Sequence, residues 1–215
     1  MPVTTNTGGN SFLERVYNVS DPEELKHLYD EWADTYDSGV LDPTQDYVAP
    51  TFVAQAVVAS YGNIENAKIL DAGCGTGLSG LPLHKAGARN IDGVDLSEGM
   101  LKVARKLGIY TDLATADLSK PIEKPDGSYD IVVCVGTLTH GHVGPRPALE
   151  EMARITKKGG VMVSTILDDI WEEQGFAAEV VRLKSEGLVE VVSNESKDYR
   201  PGAKVTAKIL VLRKK

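Results

Sequence analysis

The stretch ILDAGCGTG, residues 69–77, constrains this chain more than any other. An apolar run ends in a carboxylate and three closely spaced glycines, and the helical pattern LSGLPLHKAG follows. A buried strand that leaves into a glycine loop and re-enters as a helix is the start of a βα unit. Gly73, Gly75 and Gly77 permit positive φ and put no side chain between backbone and ligand. In an open parallel sheet, ligands sit beyond the carboxyl ends of the strands, which is where this loop falls.

The downstream pattern supplies the rest of such a sheet. NIDGVDLS, IYTDLATADL, YDIVVCVGTL and VMVSTIL read as strands, with helical EGMLKVARKLG and RPALEEMARITKKGG among them. Continuous apolar strands alternating with helices predict a parallel sheet covered on both faces. After the loop and helix of DDIWEEQGFAAEVVRLKSEG, the segments LVEVVSNES and AKVTAKILVLRKK are joined by a turn at Pro201 and Gly202. That predicts an antiparallel hairpin.

Upstream, SDPEELKHLYDEWADTYD reads as a helix with an apolar stripe of Leu25, Leu28 and Trp32, and a second helix starts after Pro50. The expected organisation is a flexible segment over residues 1–20 and one domain over 21–215, whose residues 21–62 form a helical lid.

The second strand ends in Asp95, 18 residues after Gly77. A carboxylate there can accept from both ribose hydroxyls of an adenosine ligand. A dinucleotide site calls for G-x-G-x-x-G, with the last glycine under a pyrophosphate; here the spacing is G-x-G-x-G and Leu78 holds the third place. Asp71, at the end of the first strand, would repel a pyrophosphate but suits an ammonium and a sulfonium. The local chemistry therefore favours S-adenosyl-L-methionine (SAM) over NAD, and leaves an NAD-dependent oxidoreductase as the lesser alternative.

The chain carries a net charge of −8, which disfavours nucleic acid as a partner. Two cysteines, Cys74 and Cys134, suggest no disulfide framework. No apolar stretch approaches the roughly 18 residues of a membrane span, and no signal peptide is read at the start, so a cytoplasmic protein without membrane contact is expected. No metal is expected, and the protein is taken as a monomer or homodimer.

Taken together, ILDAGCGTG, VDLS (94–97), ADLSKPI (116–122), YDIVVCVGTLTH (129–140) and ITKKGGVMVST (155–165) resemble the motifs of the class I SAM-dependent methyltransferases, in order. YDEWADTYD with VGTL is similar to a methyltransferase-like branch of that family, that of the Williams–Beuren region. The resemblance implies an α/β fold: a Rossmann-like three-layer sandwich around a seven-stranded, mostly parallel sheet with an antiparallel C-terminal strand. It implies a methyl transfer from SAM that leaves S-adenosyl-L-homocysteine (SAH).

By the same resemblance, Gly73, Gly75 and Gly77 line the methionine and ribose, with Cys74 between them reading as a small hydrophobe rather than a nucleophile. Asp95 holds the ribose diol, and Leu96 and Met100 lie against adenine. Asp117 accepts from the adenine amino group while Leu118 donates its N–H. Val135 and Gly136 offer carbonyls to the methionine ammonium. Tyr29, Trp32 and Tyr36 close over the cofactor.

Transfer from SAM needs a base only where the acceptor must lose a proton. His140 and His142 follow the fourth strand and are the candidates, His140 first because it is nearer the strand. Asp168, Asp169, Trp171, Glu172 and Glu173 could receive a cationic substrate, though a solvated helix start explains them better. The chain lacks the Asn/Asp-Pro-Pro-aromatic motif of enzymes that methylate adenine or glutamine amino groups, and the cysteines of arsenic-type enzymes. A small-molecule acceptor is expected, with a non-catalytic SAM-binding subunit as the alternative.

Overall fold

A computed structural model describes residues 5–215. Of the segment 1–20, expected as a flexible start, residues 1–4 lie outside the described residues. Ser11–Val16 form helix α1, whose N-terminus is capped by the Asn10 side chain accepting from the Leu13 N–H at 3.0 Å. Helix α2, Pro22–Trp32, begins as its sequence predicts, with Asp21 as cap and Pro22 in the first turn. It stops at Trp32, and a single turn, α3 (Tyr36–Val40), follows; α4 spans Ala49–Tyr61.

These helices have two destinations. Leu13 and Val16 of α1, Leu28 and Trp32 of α2 and Val40 of α3 bury one another in a small separate core. Val53, Ala54 and Val57 of α4 join the main core against the sheet. The expected lid of residues 21–62 therefore divides: α4 is scaffold, and the cover consists of α1 to α3.

The sheet is built in chain order from β1 (Lys68–Ala72), β2 (Asn90–Asp95), β3 (Asp112–Thr115), β4 (Tyr129–Leu138), β5 (Thr156–Leu167), β6 (Val189–Arg200) and β7 (Val205–Lys214). Helices α5 (Gly80–Lys85) and α6 (Glu98–Lys106) follow β1 and β2, while α7 (Ala148–Ile155) and α8 (Phe176–Ser185) precede β5 and β6. The strand order is β3-β2-β1-β4-β5-β7-β6. The first five strands are parallel, and β7 runs antiparallel to both β5 and β6, as the hairpin reading requires. Ile69 and Leu70 of β1 and Ile131–Cys134 of β4 are wholly buried, which explains their unbroken apolar runs.

One boundary differs from the sequence pattern. The helical reading of RPALEEMARITKKGG runs to its glycines, but α7 ends at Ile155 and residues 156–160 are already extended. Thr156 turns its hydroxyl back to the Met152 carbonyl at 2.7 Å, and Gly160 lies where a Cβ would stand 2.5 Å from the Asp130 carbonyl oxygen. Gly160 serves a close strand approach and Gly159, at φ +82°, lies where the β4–β5 register shifts, so neither is a helix stop.

From β1 the chain steps to β2 on one side, and from β4 to β5 on the other. Right-handed crossovers then put α5 and α7 on opposite faces. The loops after β1 and β4 diverge, leaving a crevice at the carboxyl edge where the strand order reverses.

Candidate active site

Backbone hydrogen bonds fix a carboxylate at that crevice. The Gly73 and Cys74 N–H groups both donate to the Val94 carbonyl, at 2.8 and 3.0 Å, and pin the glycine loop beside β2. The Gly75 N–H donates to Asp95 Oδ2 at 2.8 Å and the Ser97 N–H to Oδ1 at 2.9 Å. Each oxygen retains capacity for a further donor. Burial pushes the Asp95 carboxyl up against the pull of these N–H groups. Gly75 has φ +54°, and a Cβ built on it would meet nothing within 4 Å.

The loop lines a narrow cavity of about 90 Å³. Gly73, Gly75, Asp95, Leu96 and Met100 line it from the β1 and β2 edges. Asp117 and Leu118 join from beyond β3, Val135 and Gly136 from β4, and Tyr29 and Tyr36 from the cover. Leu25, Ala116, Thr137 and Val143 line it too, although sequence reading missed them; all four flank residues it named or continue their segments.

Four expected residues do not line the cavity. Trp32 is 1% exposed and stacks on Phe12 with ring centres 5.0 Å apart, supporting Tyr29 and Tyr36 from behind. Asp71 is fully buried; its Oδ2 accepts from the Ser79 and Tyr110 hydroxyls at 2.7 Å each, and burial pushes its carboxyl up to about 6. Through Oδ2 it ties the end of β1 to neighbouring elements, while its buried Oδ1 has no partner among the described residues. Cys74 is buried, with its Sγ 2.9 Å from where a Cβ on Gly93 would stand, and burial pushes the thiol well up. Gly77 faces α6, where a Cβ would come within 2.5 Å of Leu107.

The histidines reverse their expected ranking. His140, the nearer to the strand, turns from the cavity: Nε2 lies 3.0 Å from Asp169 Oδ2 and 2.8 Å from the Thr5 hydroxyl, and Nδ1 lies 3.5 Å from the Gln174 amide. His142 lines the cavity. Its Nδ1–H donates to the His140 carbonyl at 2.5 Å, which assigns Nε2 as the acceptor of the Tyr29 hydroxyl at 2.6 Å. Burial lowers its pKa to about 4. Gly141, at φ +70°, makes the turn that separates the two rings.

Two carboxylates of the cover, Asp30 and Asp37, dock it on the scaffold, and sequence reading missed both. Asp30 Oδ1 accepts from the Ser97 hydroxyl at 2.6 Å and the Gly99 N–H at 2.8 Å, at the start of α6. A Cβ on Gly99 would stand 2.9 Å from Asp30 Cα, so the close approach requires that glycine. Asp37 accepts from the Thr76 hydroxyl of the glycine loop at 2.5 Å. Asp117 is itself engaged: burial opposes its charge, but hydrogen bonds from Ser119 and Lys120 hold its carboxyl below the usual range. None of Asp168, Asp169, Trp171, Glu172 and Glu173 lines the cavity. Asp168 instead accepts from the Ser196 and Thr206 hydroxyls of the hairpin, and Trp171 packs on the main core.

Comparison with known proteins gives a consistent result. Residues 69–160 match the profile of a methyltransferase domain. The chain is 34% identical over 183 residues to human Methyltransferase-like protein 27, covering 83% of this chain and 73% of the relative. It is 34% identical over 147 residues to Demethylmenaquinone methyltransferase of Paenarthrobacter aurescens, covering 66% of this chain and 54% of the relative. The chain thus spans about half the length of that quinone enzyme. Among solved structures, magnesium protoporphyrin IX methyltransferase from Synechocystis PCC 6803, with bound SAM, superposes with a TM-score of 0.60. That match has 21% identity and covers 98% of this chain and 93% of the other.

Proposed function

Because this chain belongs to the SAM-dependent methyltransferase family, we propose that it binds SAM in the cavity bounded by Gly75, Asp95 and Gly136 and methylates a small-molecule acceptor. The observation that carries the reading is the pairing of open space at Gly75 with the Asp95 carboxylate, whose two oxygens are each fixed by a backbone N–H. An adenosine sugar needs an acceptor for its diol and a backbone that leaves room for it. An acidic chain and a quinone-methylating relative support a small acceptor. Family membership sets the NAD alternative aside.

SAM supplies a methyl group already activated by its sulfonium. What remains for this chain is to align the acceptor and exclude water, which can be worth about 7–11 kcal/mol. Tyr29 and Tyr36 close the cavity from the cover. His142 is neutral at pH 7, and its free lone pair is already taken by the Tyr29 hydroxyl. It therefore latches Tyr29 rather than removing a proton from the acceptor, and the transfer rests on alignment.

Titration calorimetry tests the cofactor. SAM and SAH bind and NAD does not. Asp95→Asn turns an amide N–H toward one of two backbone donors and weakens SAH by about 10- to 100-fold, from the ~1.5–3 kcal/mol of a lost hydrogen bond to a charged group. Binding of NAD without SAM, or an unchanged SAH affinity in the variant, defeats the proposal. Labelled SAM with a metabolite extract then reports the transfer itself.

A further inference from the structure

A cavity of about 90 Å³ is far smaller than the ~300–1,000 Å³ of sites that take drug-sized ligands. Most of its walls are strand ends and the segments that follow them, which the sheet holds in place. The remaining wall is Leu25, Tyr29 and Tyr36 of the cover. The apolar residues of the cover bury one another apart from the main core, and the half-buried Tyr47 and Leu78 are the hydrophobic scaffold side chains packed against them. Room for a nucleoside can therefore come from moving α1 to α3 as a unit, without opening the sheet.

The cover is tied down at the loops that orient Asp95. Gly75 and Ser97 supply the two N–H groups that fix this carboxylate. The Ser97 hydroxyl also donates to Asp30 Oδ1 of α2 at 2.6 Å, and the Gly99 N–H joins it at 2.8 Å. Thr76, the residue after Gly75, donates its hydroxyl to Asp37 Oδ1 of α3 at 2.5 Å. Each backbone donor to Asp95 thus lies at, or next to, a hydroxyl that holds the cover. A third tie joins the Tyr29 hydroxyl to His142, in the loop after β4. Thr76 and Ser97 are buried, while Asp30 and Asp37 are only half-buried. Water can take over these bonds as the cover lifts, so the ties are reversible.

We infer that α1 to α3 form a gate that lifts to admit SAM, and that Asp30 and Asp37 are the positioning residues that shut it onto the loops holding Asp95. That the entrant is SAM rests on the methyltransferase reading above. Closure and the setting of Asp95 are then coupled: the cover seats on a glycine loop and an α6 start whose N–H groups face the carboxylate. A cofactor bound at Asp95 favours the seated cover, and the seated cover slows the cofactor's escape.

The test has two arms, both on the full chain. Hydrogen exchange of the unaltered protein compares the interior amides of α2 with those of α4: α2 exchanges ten-fold or more faster, and SAH slows it. Rapid filtration with labelled SAH then gives association and dissociation rates. Asp30→Ala and Asp37→Ala each raise both rates ten-fold or more, and Asp37→Asn, which keeps an acceptor oxygen for Thr76, lies between. A merely structural loss weakens binding without speeding association. Should an alanine variant fail to fold, the exchange comparison decides alone. Equal exchange of α2 and α4, or an association rate unchanged or slowed in both alanine variants, overturns the inference. No SAH binding by the unaltered chain, with α2 still the faster to exchange, would defeat the methyltransferase reading and leave a mobile cover. SAH binding with equal exchange and unaltered rates would keep that reading and remove the gate.

Discussion

Gly73 and Gly75 stand two residues apart in one loop, and replacing each with alanine should produce opposite phenotypes. Both have positive φ, +78° and +54°, so either alanine costs about 1–2 kcal/mol of backbone strain. At Gly73 the new Cβ would also stand 2.0 Å from Thr137 Oγ1 and 2.9 Å from Thr137 Cβ and Cγ2. Thr137 is β-branched and held within β4, so it cannot swing away, and overpacking adds about 1–3 kcal/mol. Gly73→Ala is thus expected to lose about 2–5 kcal/mol of folding stability. At Gly75 nothing lies within 4 Å of the new methyl, so stability falls by the backbone strain alone. The methyl instead occupies the space read as the cofactor's, and SAH affinity falls at least about ten-fold. Urea unfolding and SAH calorimetry on both variants separate the effects, and Thr137→Ala should partly rescue Gly73→Ala. Full SAH affinity in Gly75→Ala would refute the placement of the ligand. Equal stability of the two variants would refute the packing argument.

Two further outcomes bear on the scaffold. His142 is held at about 4 from an ordinary 6.5, so the unfolded chain takes up its proton first and stability is lost as pH falls from about 6.5 towards about 4. The full shift corresponds to ~3 kcal/mol; because the ring keeps some contact with water, about 1–2 kcal/mol is expected between pH 7 and 4.5. His142→Asn should flatten that part of the urea-midpoint profile, and an unchanged slope would exclude His142 as its source. Glu179, 3% exposed, accepts from Arg146 and Arg182, and Glu179→Gln should cost about 2–3 kcal/mol in urea with SAH affinity unchanged. A loss below about 0.5 kcal/mol would mean that the pair contributes no more than an exposed one.

The parts of this protein that depend on local pattern were legible, and those that depend on which side of an element meets which neighbour were not. β1 and β4 are buried on both faces and therefore read as unbroken apolar runs. The interval from Gly77 to Asp95 marks a βα unit because loop, helix and strand have fixed lengths. By contrast, Tyr29, Trp32 and Tyr36 form one aromatic group in the sequence, yet Trp32 faces Phe12 of α1 while its neighbours face the cavity. Helix α1 was hidden by its Thr-, Asn- and Gly-rich surroundings. Asn10 as a cap, with Leu13, Val16 and Tyr17 at helical spacing, was the signal available. For the histidines, spacing puts both after β4, but a positive-φ glycine between them decides which one turns inward.

The same distinction locates specificity. The methyltransferase profile ends at residue 160 and begins at 69, and it contains the glycine loop, Asp95 and Gly136. Leu25, Tyr29 and Tyr36, which also line the cavity, come from before it. Near Gly136 the β6–β7 turn docks on the segment before α4: the Gly202 N–H donates to the Gln45 carbonyl at 3.1 Å, and the Val48 N–H to the Tyr199 carbonyl at 3.2 Å. A shared sheet can thus keep one cofactor geometry while both ends of the chain, remote in sequence, define what lies opposite it. A relative's acceptor carries over to this chain only as far as its own counterparts of Tyr29 and Tyr36 do, and similarity across residues 69–160 is silent on that point.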